Sequence, residues 1–144
     1  MSLPRRQLWL AVSCLGGATL TLQNAVGLEG TEFSGGWLTG RLLAMADVGA
    51  VLFVLALIAT FPFPRIAAGV GLASSLLCLP LHLYLVAPAP FAAIFGFGHE
   101  FKVRPGAGFH WDPWAIAGLF MLAVATYVCS HGFAAIGRMG AGDR

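Results

Sequence analysis

Long apolar segments limit the fold of this chain more than any other feature. Four of them reach the roughly 20 apolar residues that a helix needs to cross a bilayer: Leu8–Leu28, Leu42–Phe61, Ile66–Ala87 and Pro113–Ile136. Only 10% of the residues are charged, against roughly 25% in an ordinary soluble domain. The sequence therefore predicts an all-α integral membrane protein in the lipid bilayer. We expect a single-domain, four-helix up-and-down bundle, and no nucleic-acid-binding function.

Glycine and proline separate the segments, and the longest connection, 87–112, lies between the third and fourth. The first half of this connection is apolar but too short to cross the bilayer. This length is typical of an interfacial helix or a contact for a partner. The fourth helix is predicted to begin at Pro113. Proline suits this place because the first helical position does not need an N–H group.

The distribution of positive charge predicts the orientation. An even number of spans places both termini on one side, which collects five basic residues: Arg5, Arg6, Arg65, Arg138 and Arg144. The other side has three: Arg41, Lys102 and Arg104. The positive-inside rule then places both termini in the cytoplasm and the chain in the cell inner membrane. The alternative is that the first segment is a signal peptide that is cleaved, which would leave three spans. The segment is, however, longer than the apolar region of a typical signal peptide.

Polar side chains concentrate in the outer third of the predicted bundle. At 1.5 Å per residue, Asp47 lies about 9 Å and His82 about 7 Å from the outer ends of their spans. A charged residue in a span usually faces the bundle interior and a partner, so we expect Asp47 to turn inward, toward His82, Asn24 or Gln23 on neighbouring spans. The candidate ligand-binding residues of this layer are Asp47, His82, Tyr84, Asn24, Gln23 and Arg41. The alternative for these residues is a structural role in interhelical hydrogen bonds.

Two helix faces are predicted from spacing. In the third span Ser75, Cys78 and His82 fall on one side of the helix. In the fourth span the small residues form a face that allows close helix packing; its members are Ala115, Gly118, Leu122, Ala125, Cys129 and Gly132. The three cysteines, Cys14, Cys78 and Cys129, are expected to be apolar packing residues.

The long loop contains a candidate metal site. His99, Glu100, His110 and Asp112 offer nitrogen and oxygen ligands for zinc or copper. Their spacing matches no established motif, and a structural role is the alternative. Quinone, haem or a metal ion are possible cofactors, although no sequence motif requires any of them.

Three functions follow from this pattern. The first is a non-catalytic accessory or anchor subunit that packs against a larger membrane complex, respiratory or photosynthetic. The second is a small membrane enzyme or cofactor binder that holds quinone, haem or metal in a pocket on the periplasmic side. The third is an oligomeric transporter that uses Asp47. The expected protein partners are other membrane subunits or further copies of the chain.

Overall fold

The computed structural model describes residues 3–29, 37–88, 91 and 112–139. Four helices form this part of the chain: α1 (Leu3–Glu29), α2 (Trp37–Ala59), α3 (Pro64–Val86) and α4 (Pro113–Met139). The all-helical prediction is confirmed. α2 begins earlier than predicted, at Trp37, and this shift changes the depth of its only acidic residue.

Local chemistry explains where the later helices begin. Pro64 and Pro113 occupy first helical positions, where a missing N–H group costs nothing; for Pro113 this confirms the prediction. The carboxylate of Asp112 accepts a hydrogen bond of 2.9 Å from the Trp114 backbone N–H. Asp112 is therefore the N-cap of α4, which satisfies one of the free N–H groups at a helix start.

The helices pack around a common core. α1 and α3 each lie beside both α2 and α4, and α1 also contacts α3 across the bundle. At one end, which we call the His82 end, a cluster joins Ala25 of α1, Leu42 of α2 and Leu81 of α3. At the other end a second cluster joins residues of all four helices, among them Leu10, Phe53, Ala67 and Cys129. The His82 end therefore collects the last part of α1, the first part of α2 and the last part of α3.

Small residues fill much of the interior, and the buried hydroxyl groups of Ser74 and Ser75 are bonded to carbonyls of their own helix. The predicted face of α4 is buried from Ala115 to Cys129, and Gly132 is partly buried. In α3, Ser75, Cys78 and His82 are all buried, so both predicted faces are confirmed. The Ser75 hydroxyl donates to the Gly71 carbonyl at 2.9 Å, which removes the cost of an unpaired polar group in an apolar core.

Within the described residues, three helical segments are long and apolar enough to cross a membrane: Thr39–Ala59, Pro64–Val86 and Pro113–Gly132. α1 is not among them, because the adjacent Gln23 and Asn24 lower its hydropathy. Large apolar side chains cover the outside of the described bundle, with Val26 66%, Ile58 67% and Phe120 70% exposed. An apolar exterior of this kind is typical of helices that contact lipid.

Replacing Phe53 with alanine tests the packing of the core. Phe53 is fully buried, and a methyl group added at Gly17 would lie 2.7 Å from its ring, so α1 and α2 meet closely there. We expect Phe53→Ala to lower the free energy of unfolding by about 3 kcal/mol, the usual cost of such a cavity. Denaturant unfolding in mild detergent, followed by circular dichroism, measures this loss.

The matched control is Leu55→Ala, on the same helix but 51% exposed. It should change the free energy of unfolding much less. Equal losses for the two variants would contradict the packing described here.

Candidate functional site

Asp47 lies on the outside of the bundle. At 1.5 Å per residue it is about 15 Å from the start of α2 and about 18 Å from its end, close to the middle of the helix. Its side chain is exposed, and the described residues provide it with no hydrogen bond or ion pair. The structure therefore presents a carboxylate on the apolar surface of a membrane-length helix.

The predicted inward orientation of Asp47 is wrong. α2 buries the side that carries Ala46, Ala50 and Phe53, and the rotation of 100° per residue turns Asp47 away from that side. His82 is fully buried on α3. Asp47 and His82 therefore do not share a pocket, and Asp47 lies near the middle of its helix, not in the outer third.

His82 presents an unpaired nitrogen to the interior. Its Nδ1 atom lies 2.9 Å from the carbonyl oxygen of Cys78. Because a carbonyl only accepts hydrogen bonds, Nδ1 carries the proton, and in the neutral ring Nε2 has a free lone pair. Nε2 is buried and has no hydrogen-bond partner among the described residues. It is the atom that would bind a metal or accept a hydrogen bond from a ligand.

Asn24 and Gly118 close the space around His82. The Asn24 side-chain amide donates a hydrogen bond of 3.1 Å to the Trp114 carbonyl and so links α1 to α4. A methyl group added at Gly118 would overlap the His82 ring and lie 2.7 Å from the Asn24 amide nitrogen. The imidazole edge thus rests against the α4 backbone, which leaves no room for a planar macrocycle at Nε2 in this conformation.

The remaining ligand candidates divide between the core and the surface. Tyr84 is 6% exposed, packs edge-to-face on Phe91 with ring centroids 5.9 Å apart, and hydrogen-bonds the Thr39 side chain. Gln23 and Arg41 are exposed. Of the six candidates, the structure brings together only Asn24 and His82 around Gly118; a ligand role for any of them stays a prediction.

The predicted metal site falls mostly outside the described residues. His99, Glu100 and His110 lie in the part of the loop that the structure does not describe. The fourth candidate, Asp112, caps α4 with its carboxylate. Within the described ranges, no group of three or more histidine, cysteine or acidic side chains is placed to hold a metal ion.

Sequence reasoning missed the contact between Gly118 and His82. The spacing predicts Gly118 on the small-residue face of α4, but it does not indicate which residue packs against that face. One signal in the sequence could have indicated this contact. A bulky polar side chain on one helix lies at a similar depth to a glycine on another, and glycine allows close approach in membrane bundles. Comparisons of the chain with family models, curated proteins and solved structures found no match.

Replacing Gly118 with alanine tests the junction between α1, α3 and α4. The added methyl group overlaps the His82 ring and crowds Asn24, so one helix must move. We expect a loss of about 1–3 kcal/mol in the free energy of unfolding, the usual cost of overpacking. The measurement is denaturant unfolding in mild detergent.

Gly27→Ala is the control, because a methyl group added there meets no described atom within 4 Å. Alanine also favours the helix more than glycine does, by up to about 1 kcal/mol. A neutral or stabilising effect is therefore expected for Gly27→Ala. If Gly118→Ala were equally harmless, the close contact with His82 would not exist.

Proposed function

We propose that this chain is a non-catalytic integral membrane subunit that packs against a larger membrane complex. The observation that carries the proposal is the exposed carboxylate of Asp47 near the middle of α2. A charged group at the centre of a membrane helix costs at least about 2.5 kcal/mol and normally faces protein or water. This bundle provides neither for Asp47 in its described part, so the covering group comes from another polypeptide.

The proposal includes the arrangement in the membrane. α1 joins the three more apolar helices as a fourth span, supported by its length of 27 residues and its packing against α2 and α4. Both termini then lie in the cytoplasm of a cell with an inner membrane, supported by the basic residues on that side. A respiratory or photosynthetic setting for the complex stays a prediction.

A cofactor binder is the second candidate, and one observation favours it. His82 Nε2 is buried without a partner in the described part of the chain, which is unusual, since buried polar atoms generally find one. A quinol hydroxyl would donate one hydrogen bond to this atom, whereas the carbonyl oxygens of a quinone only accept. The contact of the ring with Gly118 weighs against this function, because a ligand would have to separate α3 from α4.

The transporter function receives less support. A coupling carboxylate needs an aqueous path or a polar partner in the protein, and Asp47 faces away from the core of its own bundle. A transport role therefore requires an oligomer in which neighbouring copies enclose Asp47.

The proposal predicts that the chain leaves its native membrane as part of a larger assembly. After extraction in mild detergent, the wild type should migrate well above its monomer mass of 15.1 kDa, together with a second polypeptide in fixed stoichiometry. Asp47→Asn should shift most of the chain to the monomer, because a missing charge pair weakens the interface. Its thermal unfolding as a monomer should not change, since the exposed carboxylate has no partner in the described bundle.

Val26→Ala is the matched control, an exposed position on a different helix, α1, and it should leave the assembly intact. A wild-type chain that is monomeric under conditions that preserve other membrane complexes would contradict the proposal.

A further inference from the structure

We propose that one side of α2 binds a transmembrane helix of a different polypeptide, and that this helix carries a lysine or arginine at the level of Asp47. This inference rests on the proposed function and names the chemistry of the partner. The surface, which we call the α2 outer strip, consists of Gly40, Ala44, Asp47, Val51, Val54 and Ile58.

The α2 outer strip has the geometry of a helix-packing surface. Its members follow one another at alternating steps of four and three residues, so they lie on one side of the helix. This repeat is the one by which neighbouring helices interlock at a shallow crossing angle. All six residues are exposed, and Val51 and Ile58 are 60% and 67% exposed. The strip is thus apolar along its length, with a single carboxylate near its middle.

The position of the charge determines what a partner must supply. An ionised carboxylate removed from water is stabilised by an opposite charge with good geometry. The strip itself contains no basic residue. The nearest cation in sequence, Arg41, comes six residues before Asp47 and therefore points about 120° away around the helix. The compensating cation must come from the helix that packs on the strip.

A second copy of this chain does not meet that requirement. Two copies with the same orientation in the membrane pack strip against strip, which places the two Asp47 carboxylates at the same depth. Like charges at close range repel, and neither strip offers a cation. A chain of different sequence, with a basic residue within its apolar span, is the complementary partner.

A peptide-binding experiment tests this chemistry without knowledge of the natural partner. The probe is a leucine-rich transmembrane peptide with one lysine at its centre. A central lysine reaches the depth of Asp47 whichever way the peptide is oriented in the membrane. A second peptide has leucine in place of the lysine. Energy transfer between labelled full-length protein and labelled peptide in phosphatidylcholine vesicles measures binding.

The wild type should bind the lysine peptide about tenfold more tightly than the leucine peptide, as expected of one favourable polar contact between membrane helices. Asp47→Asn should remove most of this preference, and Val26→Ala on α1 should keep it. Thermal unfolding of each variant verifies that it is folded. Equal binding of the two peptides by the wild type, or an unchanged preference in Asp47→Asn, would overturn the inference.

Two further measurements separate this inference from the proposed function. If the native assembly persists but the lysine preference is absent, the docking surface is wrong and the subunit function stands. If the preference is present but the wild type is monomeric in its native membrane, the subunit function is wrong. Energy transfer between two copies of the chain that depends on Asp47 would show a homodimer and would also overturn the inference.

Discussion

Close contact between helix backbones is the constraint on which the rest of this structure depends. In a bilayer, helices gain little from burying apolar surface against one another, so packing and small residues determine which faces meet. The Phe53 ring rests on Gly17, and the His82 ring rests on Gly118. Both contacts exclude even a methyl group, so the helices meet closely at these two points. Neither point leaves room for a ligand between the helices.

The polar groups follow a division imposed by this packing. Several neutral groups lie inside and bond helix carbonyls: the Ser75 hydroxyl bonds Gly71, and the Asn24 amide bonds Trp114. The carboxylate of Asp47 lies outside, where no carbonyl of its own bundle balances a negative charge. In a soluble protein water would solvate it, but on a membrane-length helix lipid cannot. The position of Asp47 on the exterior is the basis of our proposal that another chain covers it.

Much of the fold could be predicted from the sequence, and the orientation of α2 could not. Apolar length predicted all four helices, and the spacing of Ser75, Cys78 and His82 predicted the buried side of α3. α2 is apolar on every side, so no contrast in its sequence indicates which face turns inward, and the rule that charges face the core gave the wrong answer for Asp47. The contact of His82 with Gly118 depends on how far α3 is shifted along α4. The periodicity of a single helix contains no information on this shift between two helices.

The central claim is that protein, not lipid, covers the α2 surface around Asp47. A spin label at Val51→Cys, one turn from Asp47, measures this directly, since Cys14, Cys78 and Cys129 are buried and should label poorly. In native membranes the label should be immobile and shielded from dissolved oxygen, whereas in the isolated chain in vesicles it should be mobile and accessible. A label at Val51 that is as accessible in the native membrane as in the isolated chain would contradict the account.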